Sequence, residues 1–598
     1  MICQRGFFTP IHNMNTFALD FESYYDKSCS IKTLGPRGYF SHPDFDAYLM
    51  SIVGDEGTRF CGHPSEFDWT LLAGQRVLSH NASFDQHLYV YGCMKGWFPV
   101  VDFAEWHCTA DMVVYLGLPR SLKDSTAAAL GHKVDKSTRD NMSGKKWESM
   151  PEDFQKEVIE YAIKDSDLCL ELWQKLSDGW PERERLISTV NRKVGFRGLP
   201  IDSAYLKESL EKTNVNLFNI EESIPWSGER SILSRIAFND ACRKEGLEPP
   251  ASLALDDEDA NEFLDANSHF PWINGVRNYR RINGLKRKLE SFDAATMGDD
   301  RFYGNLMYFG GHTGRFSGSG GNLNLQNLPR EEMFGVYLRN LIAPKAGRVL
   351  IAVDLSQIEV RTLCWLAKDI DTMAEIAASN DIYEAYAIRF GLWDRSKGSM
   401  KANDPSLRGK VKAMVLGCGY GCGPDKFAKV SGMELRDAEK AVALYREKMR
   451  KVTSYWKRLN EDIQLSINAG DEFTIDLPSN RSLRYGHVRT VMQFHKRQFI
   501  AMMNKYSKKV PVKIYGGLLS ENASQALARD IFCDMLCKID AAGHEIIFHV
   551  HDEVVIECDA DKAEENLREI ISIMSTPPDW IPDIPLSAEG KILTKYEK

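Results

Sequence analysis

A chain of 598 residues is longer than one hydrophobic core usually serves, so it is expected to fold as several packed units. Its 43% hydrophobic and 27% charged residues are an ordinary globular mixture, and no apolar run is long enough to cross a bilayer, which sets aside a membrane-spanning class. The net charge of −9 does not exclude a polyanionic partner, because phosphate binding depends on where cations cluster and not on their sum. The opening residues, MICQRGFFTPIHNMNTFALD, lack a charged leader, an apolar stretch and a small-residue cleavage site in series, so no secretory signal is read and a cytoplasmic protein is expected. Thirteen cysteines without a CxxC pair, Cys418 and Cys422 forming a CxxxC inside a Gly-rich segment, argue for reduced, mostly buried thiols rather than structural zinc.

Residues 13 to about 190 read as alternating strands and helices, from the strand-like NTFALDFES to the helix EDFQKEVIEYAIKDSDLCLELWQKL. Asp20 and Glu22 lie two apart on the predicted strand, so their carboxylates leave the same face and can share a divalent cation. In HNASFD, Asn81 and Asp85 stand at a loop-to-helix start, and Tyr161 and Asp165 lie four apart on one helix face. Any one of these pairs is better explained by a cap or a salt bridge. As an ordered set within one α/β unit, Asp20, Glu22, Asp85 and Asp165 suit two Mg²⁺ ions, which would activate a water against a phosphodiester and stabilise the leaving oxygen. Tyr161 is placed to orient that water.

A second long helix follows, and GFRGLPIDSAYL, where Gly198 and Pro200 interrupt the periodicity, marks a boundary. From about 200 to 300 the chain is mostly helical, and NYRRINGLKRKLESF gathers Arg280, Arg281, Lys286, Arg287 and Lys288; taken alone, a solvated face explains them as well as phosphate binding does. YFGGHTGRFSGSGGNLNLQNLPR is a loop rich in Gly, Asn and Ser, of a length that is often functional. RVLIAVD is a strand that turns directly into the helix SQIEVRTLCWLA, with Ser356 as its N-cap, and mostly helical sequence is expected from there to about 540.

Within that stretch, RGKVKAMVLGCGYG reads as a helix whose Arg408, Lys412, Leu416 and Tyr420 recur every four residues on one drifting face. Two cations suit a triphosphate and the ring suits stacking near a base, while the clustered glycines permit close approach of DNA. FHKRQF and KYSKKV interleave rings and cations, and fit a single-stranded path and a solvated face equally. EIIFHV and EVVIEC form a hairpin turning at His551 and Asp552. Asp354 at the end of its strand and Asp552 at this turn can therefore converge at one sheet edge, as in-line phosphoryl transfer with two metals requires.

The ordered set DxE, NxxxD and YxxxD resembles the 3′-to-5′ proofreading exonucleases of the DEDD type, in the variant with tyrosine in the third motif. DLSQIEVR, RGKVKAMVLGCGYG and VHDEV resemble, in order, the three polymerase motifs of the family-A DNA polymerases, and TGRFSG with NLNLQNLP resembles that family's loop ahead of the first. The resemblance covers nearly the whole chain and implies an α/β and α+β multidomain fold. An RNase H-like exonuclease domain (1–190) would precede a right-hand polymerase: palm entry and helical thumb (191–300), palm with the first motif (301–365), fingers (366–515) and palm with the third motif (516–598).

The same resemblance implies Asp354 and Asp552 as catalytic metal ligands, with the backbone carbonyl of Leu355 assisting and Glu553 near the primer end. Arg408, Lys412, Leu416, Tyr420, Gln357 and Glu359 would contact the nucleotide, Glu359 as the steric gate that crowds a ribose 2′-hydroxyl. Arg315, Gln326 and Gln525 would face the duplex near the primer terminus, where minor-groove acceptors common to all pairs report pairing geometry. His551 is a further expected DNA contact, and Arg280 and Lys288 would track phosphates from the thumb. At the exonuclease site, Asp20, Glu22, Asp85 and Asp165 would hold metal and Tyr161 the attacking water. The implied cofactor is Mg²⁺, two ions at each site, with Mn²⁺ as the alternative. The implied partners are primer-template DNA, dNTPs and replisome proteins such as a helicase and a single-strand binding protein, with no membrane, and the chain is expected to act as a monomer.

Two positions depart from the family pattern: Leu416 stands where an aromatic is usual, and Gly517 where a basic residue is expected eight positions before Gln525. A single-subunit RNA polymerase shares a strand-borne Asp, a Lys-to-Tyr-Gly helix and an HD turn, but Glu359 and the exonuclease unit speak against it. A non-catalytic DNA-binding replisome protein predicts a missing metal carboxylate, and none is missing. No separate 5′-nuclease region is expected ahead of Asp20, and this compact plan resembles bacteriophage replicative enzymes with strong proofreading.

Overall fold

Thr16–Glu22 buries both of its faces, as a strand covered on two sides must, and lies at the centre of a five-stranded sheet. It pairs antiparallel with Leu49–Gly54 and parallel with Arg76–Ser79, while Arg59–Gly62 and Glu105–Cys108 form the edges. The helix Glu152–Leu176 packs across this sheet, and Ser51 fixes it by donating to the Ala162 carbonyl at 2.8 Å. In this computed structural model the described residues are 14–132, 137–254, 257–296, 299–304, 306–318, 325–493, 496–505 and 508–597. The opening segment, part of the Gly-rich loop (319–324) and the Phe494, His495, Tyr506 and Ser507 positions of FHKRQF and KYSKKV lie outside them.

A second, four-stranded antiparallel sheet is ordered Ile546–Val550, Glu553–Asp559, Arg348–Leu355, Ala588–Leu593. Side chains alternate across it: Ile351, Val353 and Leu355 join one core, while Leu350 and Ala352 join another with Phe548 and Tyr596. Before it in the chain, the helices Ser203–Glu221 and Pro271–Ala295 pack on each other. The second buries Ile282, Leu285, Leu289 and Phe292 at helical spacing, which leaves Arg281 and Arg287 exposed on the opposite side. No helix among the described residues is long and apolar enough to cross a membrane, and the described cysteines are all free thiols.

Three local expectations are corrected. Ser356 is not the N-cap of its helix; Gln357 is, in the left-handed region (φ 47, ψ 48) and without a side-chain cap bond. Ser356 is drawn to its neighbours instead, its N–H donating to the Ser587 carbonyl at 2.8 Å and its carbonyl accepting from Arg361 Nε at 2.7 Å. The Arg408 helix runs Pro405–Cys418 and stops before Tyr420, where Gly421 turns the chain at φ 81. The described part of 473–514 holds strands where helix was expected: a hairpin of Phe473–Asp476 with Ser482–Gly486, then an antiparallel sheet of Arg489–Gln493, Lys496–Lys505 and Lys508–Ile514. Val491, Ile500, Val510, Val512 and Ile514 give the stretch from Arg489 onward its β-branched character, and it has no acid for helical ion pairs.

The helix Glu182–Arg197 joins the two parts of the molecule and ends at Gly198, whose φ of 68 only glycine adopts cheaply. Toward the first sheet, Arg192 donates to Gln86 at 3.0 Å and to the Trp106 carbonyl at 2.5 Å, and Ser188 donates to Asp111 at 2.6 Å. Toward the second, Glu184 accepts two bonds from Arg529, at 2.6 and 2.9 Å, and one from the Tyr308 hydroxyl at 2.5 Å. Asp530 beside it accepts from Arg481 at 3.0 Å and from Ser479 at 2.5 Å. Burial opposes ionisation of Glu184 and Asp530, yet Arg529 and Arg481 hold both carboxyls below their ordinary range.

Glu184→Gln would leave the two buried guanidiniums of Arg529 and Arg481 facing the single carboxylate of Asp530, so unfolding should register a loss on the order of 3–5 kcal/mol. Because both folded-state carboxyls are depressed, their stabilisation is present at neutral pH and lost as pH falls below about 4, through their folded values. Melting curves of wild type and variant should therefore converge in acid; a constant gap between them would refute this account.

Candidate active sites

Asp354, one residue before the end of its strand, stands directly opposite Glu553, and Asp552 occupies the hairpin turn behind His551, whose φ is 54. The Leu355 N–H donates to the Asp552 carbonyl at 3.0 Å, tying the turn to the strand end so that two acids from distant segments meet. Burial and then the Asp354 carboxylate push the Asp552 carboxyl up to about 6, as expected where like charges share a site. Such a pair attracts a cation, and its hard oxygen donors fit Mg²⁺.

Around the pair lie residues expected to hold nucleotide and primer. Arg315 forms an ion pair with Glu359, and His551 and Asp552 sit in the field of both. Burial followed by the Glu359 and Glu521 charges raises the pKa of the Tyr420 hydroxyl. Arg408 pairs with Asp381, its guanidinium 5.0 Å over the Tyr383 ring, so a triphosphate there must exchange with a carboxylate. Lys412 is exposed, Leu416 is 49% exposed, and Gln357 stands at the start of the helix that carries Glu359. Gln525 donates to Glu521 at 3.4 Å, and Gln326 lies in the short turn Leu325–Asn327. Arg280 and Lys288 belong to the Pro271–Ala295 helix, away from this sheet in sequence, where burial and then Arg235 lower the Arg280 pKa.

The Glu553 carboxylate is buried and accepts the Tyr596 hydroxyl at 2.5 Å. Arg339 lies 5.2 Å over that tyrosine ring and Phe548 packs on it. Glu521, Ser524 and Tyr596 were not singled out in the sequence. Glu521 precedes Gln525 by one helical turn, so periodicity could have found it. Tyr596 reaches Glu553 from a separate segment and left no local signal.

At the first sheet, Asp20, Glu22, Asp85 and Asp165 are brought into one field. Burial and then Glu22, Asp85 and Asp165 raise the Asp20 carboxyl well above its ordinary range, while burial takes Asp85 up to about 7. Asn81 starts the Asp85 helix at φ 85, and Asp85 accepts the Phe21 N–H at 3.1 Å, next to Asp20. Burial and then the Asp165 carboxylate raise the pKa of Tyr161. Arg139 stands in the same field, its charge favoured by Tyr161, Glu22 and Asp20. Among the described residues, no three His, Cys, Asp or Glu side chains are gathered into a ready ligand set at either site. The carboxylates make a negative field, and their oxygen chemistry suits a hard cation.

Residues 243–469 match the family model described as DNA polymerase family A. Over 98% of its length the chain is 25% identical to the DNA polymerase of Bacillus phage SP02, covering all of that protein. It is 23% identical, over 73% of its length, to the thermostable DNA polymerase I of Thermus filiformis, of which it covers 51%, so it spans about half of that relative. The POL domain of Pol1 from M. smegmatis, solved in complex with DNA primer-template and dNTP, superposes with a TM-score of 0.69 at 18% identity, over 98% of this chain and 96% of that one. This last likeness is one of fold.

Tyr596→Phe would leave the buried Glu553 carboxylate short of a donor, at a cost of about 1–3 kcal/mol. A melt of the variant checks the figure, and an unchanged melting temperature would show that the bond carries no stability.

Proposed function

Since this chain carries a DNA polymerase domain of family A, a family of template-dependent polymerases, we propose that it adds deoxynucleotides to a primer at the Asp354–Asp552 edge and trims 3′ ends at the Asp20–Asp165 cluster. The observation that carries this reading is the meeting of Asp354 and Asp552, acids from segments far apart in sequence, at one sheet edge beside Arg315, Glu359 and Tyr420.

Family-A polymerases use divalent metal ions, and here Asp354, Asp552 and the Leu355 carbonyl would hold Mg²⁺. When bound, such ions lower the pKa of the attacking hydroxyl and neutralise charge on the transferred phosphate. The chain's own residues supply position. Lys412 offers an exposed ammonium to the triphosphate, and Arg408 joins it by releasing Asp381. Glu359, in the first turn of the helix that follows Asp354, crowds the sugar and disfavours a 2′-hydroxyl, while Tyr420 walls the base. Arg315 and Gln525, which reach the pocket from separate segments, are suited to reading minor-groove acceptors that all correct pairs present.

The second activity rests on the four carboxylates and Tyr161 of the first sheet. They have the charge to hold a pair of divalent cations, and Tyr161 can orient a water toward a terminal phosphodiester. Primer-template DNA and dNTPs are the substrates this assigns. The end-to-end match to a phage DNA polymerase supports a role in phage genome replication, with replisome proteins as partners.

Primer extension and 3′-end degradation separate the two sites. Asp552→Asn should cut extension by roughly 10²–10³-fold or more while degradation persists, and Asp20→Asn should do the reverse. Loss of both activities in either variant would refute two independent sites. Glu359→Ala should raise ribonucleotide incorporation relative to deoxynucleotide on the same template, and an unaltered ratio would remove Glu359 from its gating role.

A further inference from the structure

One part of the fold has a charge balance opposite to the rest. Between Arg489 and Ile514 the sequence holds seven Lys or Arg and no Asp or Glu, in a chain of net charge −9. This stretch forms the three-stranded antiparallel sheet Arg489–Gln493, Lys496–Lys505, Lys508–Ile514. Its register places Arg489 opposite Ile500 and Ile500 opposite Lys513, with Met502 opposite Pro511. Side chains directly opposite share a face, and alternate residues along each strand share it too.

The other face carries Phe499, Ala501, Met503 and Ile514, which pack into the main core. The face of Arg489, Lys509 and Lys513 therefore looks outward, and all three cations are exposed on it. Among the described residues, none of the three has a carboxylate partner. Val491 and Met502 are exposed on the same face, 45% and 47%, between the cations.

Unpaired cations of one sign on a flat, open face suit a polyanion, and the interleaved apolar side chains suit base surfaces. A duplex hides its bases, whereas a single strand offers both phosphates and bases to such a face. The position points the same way. The last strand leads through Ile514 and the exposed Tyr515 into the helix Gly516–Ala541. That helix starts against the candidate nucleotide pocket: a Cβ on Gly517 would meet the Tyr420 carbonyl oxygen at 2.3 Å, and one on Gly421 would lie 3.8 Å from the Tyr515 ring.

We propose that the outward face of this sheet binds the single-stranded template as it approaches the Tyr420 pocket, with Tyr515 at the entrance. The direction of travel rests on the polymerase reading; the affinity for a single strand does not. Arg489, Lys509 and Lys513 take the phosphates, and Val491 and Met502 lie under the bases. Of the two basic segments that fit a strand path and a solvated face equally, KYSKKV contributes Lys509 to this surface.

The test is fluorescence anisotropy in EDTA with two DNAs, a primer-template bearing a 5′ single-stranded template overhang and a blunt duplex of the same paired length. Simultaneous Arg489→Glu, Lys509→Glu and Lys513→Glu should weaken binding of the overhang substrate about tenfold or more and make its log affinity–log salt slope shallower by about 2, at three phosphates lost from a single strand. Binding of the blunt duplex should be unchanged. The corresponding triple Gln variant, which adds no repulsion, should lose affinity in the same direction by less, and a melt confirms that each variant is folded. Unchanged affinity in the Gln and Glu variants would mean a solvated face and overturn the proposal, and an equal loss on both DNAs would overturn it in favour of duplex contact. Failure of the wild type to extend any primer would instead strike the polymerase reading, leaving these binding outcomes to be judged on their own.

Discussion

Glu184 and Asp530, with the guanidiniums of Arg529 and Arg481, form a buried four-charge assembly where the helix Glu182–Arg197 packs on the helix Gly516–Ala541. A lone charge in that interior would cost several kcal/mol, so each member requires the others in place. Both candidate sites depend on this contact. The Gly516–Ala541 helix carries Ser524, Glu521 and Gln525 to the pocket, and the Glu182–Arg197 helix grips the first sheet through Arg192 and Ser188. The assembly therefore sets how the two halves of the molecule sit together.

The two sites use one electrostatic device with different completion. In each, burial and neighbouring carboxylates push an acid upward: Asp552 to about 6 beside Asp354, and Asp20 well above its ordinary range among Glu22, Asp85 and Asp165. The field is then partly answered by a cationic side chain: Arg315 beside Glu359 in one, Arg139 near Asp20 and Tyr161 in the other. These guanidiniums lower the cost of crowding acids and mark where positive charge is favoured.

Much of this was legible in sequence because it follows from period. Asp20 with Glu22 at spacing two, and Tyr161 with Asp165 at spacing four, are face relations that any strand or helix imposes. The hairpin at His551 and Asp552 is likewise local. Less legible were elements whose conformation is set by what surrounds them. Residues 473–514 sit among helices, so their strand character was hidden until pairing partners were known. The Tyr420 segment leaves its helix because glycines allow a turn there and the neighbouring helix start at Gly517 occupies the adjacent space.

Sequence alone determined which acids and cations are present, their order along the chain, and which of them share a face within one element, since those relations depend only on backbone period. The likeness of the ordered motifs to polymerase and exonuclease motifs came from the same source. Tertiary structure decided what no period contains: that Asp354 meets Asp552, that Arg315 turns to Glu359, that Tyr596 reaches Glu553, and that the cations Arg489, Lys509 and Lys513 share one open face. Each of these joins segments separated in sequence, and their approach is set by packing and strand register rather than by any local preference.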